Sequence, residues 1–260
     1  MCKMKKTIYL LVLVIALFSC KKESNISPST PPNPTNSITC IDNPNINFTS
    51  IGTPIGKFGE CIKDIDGNTY KTVTIGTQTW MAENLKVSKY NDGTAIPNVT
   101  ENSQWKKNTT GAWCNYNNSD SLGKIYGKLY NWYAVSPTTN GNKNVCPTGW
   151  HVPTDSEWTL LAGYLGGESV AGGLMKEIGL LKWDTPNVDA TNTSKFTAIP
   201  GGYKFENGDF LNINKYGYWW SSSESDNYDS FNYILREEIS DLDRDDINKN
   251  NGFSIRCIKD

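Results

Sequence analysis

Apolar positions in this chain fall into short runs rather than long periodic stripes. The longest run is N-terminal, Ile8 to Phe18 (IYLLVLVIALF), and follows Lys3, Lys5 and Lys6. It is too short to span a bilayer, which takes about 20 residues. A basic stretch followed by a short apolar one reads as a signal peptide over residues 1–19. Residues 21–39 (KKESNISPSTPPNPTNSIT) almost lack large apolar groups and are rich in Ser, Thr, Asn and Pro. That composition predicts an extended linker.

Beyond the linker the pattern changes. Asp66-Gly67 is a turn signal, and Tyr70 to Ile75 alternates as a strand does. Gly76-Thr77 then turns the chain into Gln78–Met81. Residues 86–123 read as loops and short strands. Tyr126 to Val135 (YGKLYNWYAV) is ambiguous, although the spacing of Leu129, Trp132 and Tyr133 allows a helix. The clearest local signal is Pro153-Thr154-Asp155-Ser156-Glu157-Trp158. Thr154 and Glu157 form a capping box, in which each side chain satisfies a backbone donor at the other's position. Trp158, Leu161 and Leu165 follow as a helical stripe, and Gly166-Gly167 ends it. A second short helix is predicted over Ser169–Ile178. From Phe196 onward the pattern is β: Phe196–Ile199, Gly202–Phe205, Tyr216–Ser221, Phe231–Leu235 and Gly252–Cys257. The expected fold class is α+β, a loop-rich antiparallel sheet with two short helices.

Charge and composition narrow the function. The net charge is −2, and removing residues 1–19 leaves 22 basic against 27 acidic residues, or −5. An acidic balance argues against nucleic-acid binding. His151 is the single histidine, which excludes a multi-histidine metal site. No cofactor is expected. Asp64 to Asn68 lacks the remaining ligands of an EF-hand and reads as a turn. The acidic run Asp241-Leu242-Asp243-Arg244-Asp245-Asp246 reads as a solvated loop, with calcium binding by Asp241, Asp243 and Asp245 as the weaker alternative. Aromatic residues make up 12% of the chain, so the core relies on Trp and Tyr. Trp219 and Trp220 should point to opposite faces of a strand. Packing of both is the plain reading. The sharper reading is that one of them stacks on a sugar ring beside Glu224, Asp226 and Asn227.

Leu17-Phe18-Ser19-Cys20 resembles the lipobox of bacterial lipoproteins. The resemblance implies acylation of Cys20 and cleavage before it. Two or three acyl chains anchor stably where one does not. The expected partner is therefore a membrane, and the expected location is the cell envelope, at the outer membrane. With Cys2 removed and Cys20 acylated, Cys40, Cys61, Cys114, Cys146 and Cys257 remain in an oxidising compartment. Cys40–Cys61 is a plausible bridge, and Cys61–Cys114 competes with it.

IDGNTYKTVTIGTQTWMAENL, YGKLYNWYAV, CPTGWHVPTDSEW, PGGY, GYWWSSSE and GFSIRCIKD occur in that order. Together they resemble the Fibrobacter succinogenes major paralogous domain, common in lipoproteins of the Bacteroidetes and Fibrobacteres. The likeness divides the mature chain into Cys20 with its linker (20–39), an N-terminal extension (40–58) and the domain (59–260). It implies a C-type-lectin-like fold, similar to that of formylglycine-generating domains. It also implies a disulfide from the first helical region to the last strand, Cys146 to Cys257. The copper-binding cysteine pair of formylglycine-generating enzymes has no counterpart between those two residues. The Glu-Pro-Asn or Gln-Pro-Asp tripeptides of calcium-dependent lectins are also missing. The expected function is therefore non-catalytic, a lectin-like module for glycan or protein. A structural envelope protein is the alternative. An enzyme would need a pocket of clustered acids or a reactive Cys114.

Overall fold

The structure, a computed structural model, describes Asn43 and residues 45–260. Cys20, Cys40 and the signal and linker segments lie outside the described residues. In chain order the first strands are β1 (Lys57–Phe58), β2 (Ile62–Lys63), β3 (Thr69–Tyr70), β4 (Thr72–Ile75) and β5 (Gln78–Met81). Next come α1 (Asn102–Trp105), β6 (Trp113–Cys114), a 3-10 turn, α2 (Asp120–Tyr126), β7 (Leu129–Asn131), α3 (Trp132–Val135) and α4 (Pro137–Asn140). β8 (Trp150–His151) leads into α5 (Asp155–Tyr164) and α6 (Glu168–Met175). The remaining strands are β9 (Gly201–Lys204), β10 (Phe210–Ile213), β11 (Tyr216–Glu224), β12 (Asp229–Arg236), β13 (Asp243–Asn248), β14 (Gly252–Phe253) and β15 (Ile258–Lys259).

The class is mixed α+β. One sheet runs β1-β4-β5-β15-β8, and a larger one runs β13-β12-β11-β9-β14-β7-β6, with β10 paired to β9. Pairing is antiparallel except between β9 and β11, where Gly202 faces Gly217. The DG turn joins β2 to β3. Thr154 and Glu157 form the expected capping box, with the Thr154 N–H donating to Glu157 Oε2 at 2.7 Å. Trp158, Leu161 and Leu165 are buried, and Gly166 follows at φ +101°. α6 begins one residue before the expected start and ends at Met175. The ambiguous stretch resolves into three pieces. Tyr126 closes α2, Leu129–Asn131 is a strand, and Trp132–Val135 is one turn, capped by Asn131 Oδ1 on the Ala134 N–H. Among the described residues there are six α-helical segments rather than two, because these single turns add to the pair the sequence displays.

Three readings need correction, the shortest being the expected strand Gly252–Cys257, which ends at Phe253. Phe196–Ile199 is not a strand. Thr197 sits at φ +57°, held by its N–H donating to Asn192 Oδ1 at 2.9 Å, and only Ala198 makes a bridge, to Lys176. The acidic run is not a loop, since Asp243–Asn248 pairs in register with β12 as the edge of the large sheet. Its charged residues suit an edge, where they oppose pairing with another chain.

β11 divides the interior. Trp219 enters a core with Trp80, Trp158, Leu161, Phe196 and Tyr233. Trp220 enters the other, with Tyr130, Trp132, Val152, Ile234 and Phe253. The residues before β1 line the body too: Ile46 is buried, and the Ile51 and Ile55 N–H groups donate to the Thr191 and Thr193 carbonyls at 2.7 Å each.

The last nine residues tie both sheets together. Gly252-Phe253 belongs to the large sheet and Ile258-Lys259 to the small one. Between them Cys257 is bonded to Cys146. Cys61 is disulfide-bonded as well, and Cys114 is free and buried, so Cys61 does not pair with Cys114. Arg256 is fully buried. Its Nε donates to Asn84 Oδ1 at 2.9 Å, its Nη2 to the Thr197 carbonyl at 2.8 Å, and its Nη1 to the Phe196 carbonyl. Among the described residues, no helix is long and apolar enough to cross a membrane.

Two stability predictions follow from this junction. Replacing Cys146 and Cys257 together by Ala reopens a loop of 111 residues. Urea unfolding should show a loss of about 5 kcal/mol, the chain-entropy value for a loop of that size. Arg256→Ala leaves the Phe196 and Thr197 carbonyls buried without donors, while Asn84 Oδ1 keeps the Trp219 indole N–H, so unfolding should show a loss of about 3–5 kcal/mol. Arg256→Lys keeps the charge but not the planar fork and should lose less.

Candidate functional site

The polar loop that follows α3 faces the far end of β11 across a cleft of about 430 Å³. Trp132, Val135 and Val152 supply the apolar part of its lining. Ser136, Thr138, Asn142, His151, Ser222 and Glu224 supply the polar part.

Each wall is fixed from beneath. The Trp132 indole N–H donates to the Ser221 carbonyl at 2.9 Å, and the Ser222 N–H donates to the Pro153 carbonyl at 2.8 Å. Asn144 ties its loop down by donating to the Trp150 carbonyl at 2.6 Å and accepting the Cys146 N–H at 2.8 Å. Buried Lys249 holds the β11–β12 tip, donating to the Asp226 and Asn227 carbonyls at 2.8 and 3.0 Å. It also lies 3.6 Å from Glu224. Among the described residues, nothing bonds the Ser222 hydroxyl or the Asn142 amide. The cleft thus offers a hydroxyl, an amide and a carboxylate on a fixed frame, a set suited to hydroxyl-bearing ligands.

His151 is a clamp rather than a free base. Its Nδ1 lies 2.6 Å from Asp260 and its Nε2 lies 2.9 Å from Glu157, the helix-capping residue. Burial pushes its pKa down. The hydrogen bonds to Asp260 and Glu157 outweigh burial and leave the pKa raised above 6.5. Cys114 is buried among Trp105, Tyr116 and Leu129, and burial pushes its thiol up to about 12. A thiol held protonated in an apolar core is a poor nucleophile.

Of the ligand-binding candidates read from sequence, Glu224 alone lines the cleft, joined there by His151. The stacking platform needs correction, because Trp219 and Trp220 are both fully buried and neither offers a ring face. β11 lies inside its sheet, between β9 and β12, with a core on each side. Asp226 turns back on its own tip, accepting the Tyr228 and Asp229 N–H groups at 2.7 and 2.8 Å. Asn227 serves through its carbonyl. The calcium alternative is not supported either. Asp243 pairs with Arg236, and no group of three His, Cys, Asp or Glu residues among the described residues could hold a metal. Sequence reasoning missed Ser136, Thr138, Asn142 and Ser222. The signal available for the first three was the polar SPTTNGN run directly after an aromatic one.

These features define a mixed α+β domain with a cleft beside Glu224 on a disulfide-tied frame. The family model described as the Fibrobacter succinogenes major domain matches residues 73–259. The chain belongs to that family. No curated protein and no solved structure matches it.

The histidine clamp carries a pH prediction. A raised folded-state pKa means that the protonated form stabilises the fold. That contribution is complete below the unfolded value of about 6.5 and is lost as pH rises through the folded value. NMR titration of the single histidine should give a midpoint above that of a free imidazole. Asp260→Asn should lower the midpoint and flatten the fall in stability over the same range.

Proposed function

We propose that this protein is a lipid-anchored envelope protein whose C-type-lectin-like domain carries a non-catalytic glycan site in the cleft beside Glu224. The observation that carries the reading is the rigid cleft with open Ser222 and Asn142 groups around a carboxylate. Several features support the lectin-like part. Strands from both ends of the domain share one sheet, with Ile258 opposite Trp80. A disulfide links the approach to α5 with the last strand. The anchor part is supported by the apolar run and the Leu17-Phe18-Ser19-Cys20 sequence.

Binding here would rest on hydrogen bonds rather than ring stacking, since Trp132 at the base is itself buried. Such a site discriminates by leaving polar groups unpaired when the wrong sugar enters.

A glycan array probed with residues 40–260 should give a defined set of positive sugars. Glu224→Ala and Ser222→Ala should each weaken that binding about ten-fold, the equivalent of about 1.4 kcal/mol. Thermal unfolding should stay close to that of the parent. An array without signal, together with cross-linking to one fixed envelope partner, would replace the glycan reading with the structural one. Acyl chains on Cys20, read by intact mass of membrane-extracted protein, test the anchor separately.

A further inference from the structure

We infer that the turn at Leu180 and Leu181 is a membrane contact, placing two leucine side chains in the lipid surface to which the domain is tethered. The inference rests on the lipid-anchored reading and adds to it an orientation. Leu181 is 93% exposed and Leu180 is 59% exposed. Single exposed apolar residues are ordinary on any surface. Here two stand adjacent on one turn, and the turn is built to hold them out.

Gly179 starts it at φ +89°, a backbone conformation that costs glycine nothing. The Asn187 amide donates to the Glu177 and Gly179 carbonyls at 3.1 and 2.9 Å. On the other side Lys182 pairs with Glu177 at 3.0 Å. Trp183 is then buried, its indole N–H donating to the Ala198 carbonyl at 3.0 Å. With both flanks fixed, the leucines have little backbone freedom left to lose on entering another phase.

The turn also lies where the described chain begins. The Asn47 N–H donates to Glu177, the residue that holds Lys182. Asn45, Ile46 and Asn47 line one hollow with Leu181 and Lys182. The first described residues of the domain therefore lie beside these leucines. An acyl anchor on the preceding segment makes even weak insertion of the turn effectively intramolecular.

The cleft lies at the other end. The Asp184 N–H donates to the Asn214 carbonyl at 2.7 Å, two residues before β11 starts at Tyr216. β11 then runs to Glu224, and nine residues of extended chain span about 26 Å. A domain resting on Leu180 and Leu181 would present the cleft away from the membrane.

The test uses the full acylated protein in vesicles of phosphatidylethanolamine and phosphatidylglycerol. An environment-sensitive fluorophore is attached at Leu181→Cys, or at Tyr228→Cys on the β11–β12 tip as the distant control. Cys61, Cys146 and Cys257 are bonded and Cys114 is buried, and the parent protein treated with the same dye gives the background from any other thiol. The expected result is blue-shifted emission at position 181, quenched by spin-labelled acyl chains, with neither effect at position 228. Equal, water-like emission at both positions on a protein whose mass shows acylated Cys20 overturns the contact and leaves the anchor standing. A mass without acyl chains overturns the anchor, and the contact with it.

Discussion

A guanidinium that never meets water holds the two sheets to one another. Arg256 lies where the C-terminal segment crosses from the large sheet to the small one, and its partners are amide and carbonyl oxygens. The Phe196 and Thr197 carbonyls cannot join a sheet ladder, because Thr197 is held at φ +57°. Left alone they would be buried acceptors without donors. A planar fork of donors satisfies both at once and stacks on the Phe196 ring at 4.3 Å. Burial pushes the Arg256 pKa down to about 9, so the charge survives at neutral pH. Asn84 completes the junction. Its oxygen accepts from Arg256 and from the Trp219 indole, and its amide donates to the Tyr126 carbonyl and to Ser254. One amide thus links four segments far apart in sequence.

That junction fixes Trp219, and through it the course of β11. Trp219 and Trp220 are locked into separate cores, so β11 can neither rotate nor slip without exposing one of them. Its far end inherits this rigidity. Ser222 and Glu224 lie beyond the tryptophans, braced by Pro153 and Lys249. The cleft is therefore positioned by the core, although most of its polar groups come from a loop.

What could be read from sequence was whatever is decided locally. The capping box, the DG turn and the paired glycines after α5 each depend on neighbours within a few residues, and each stands where expected. The Cys146–Cys257 bridge came through family likeness. The misread segments depend on distant partners. Phe196-Thr197-Ala198-Ile199 has strand composition, yet its carbonyls turn to a guanidinium 60 residues away. The acidic run has loop composition, yet Arg244 lies over Phe231 at 3.8 Å and bonds Asp155 at 2.7 Å, which supports an edge strand. Alternation placed Trp219 and Trp220 on opposite faces correctly. It could not say that both faces are covered. The cleft was nearly illegible, because Ser136, Thr138 and Asn142 resemble any polar loop until β11 is set against them.

The placement of the perturbed ionisable groups bears on what the cleft does. Catalytic sites gather such groups around the substrate. Here several of them lie inside the walls. Lys176 is lowered to about 8 by burial and is spent on the Arg236 and Ile239 carbonyls. Lys204 is lowered by burial and lies between the Trp105 and Phe210 rings, 4.8 and 4.6 Å from their centres. Cys114 lies in that same core. His151 does border the cleft, but both of its nitrogens are occupied by carboxylates that cap α5 and secure the C-terminus. These buried groups therefore hold the fold together, and Ser222, Asn142 and Glu224, which face the cleft, are suited to hydrogen bonding. That arrangement agrees with the hydrogen-bonding site proposed beside Glu224.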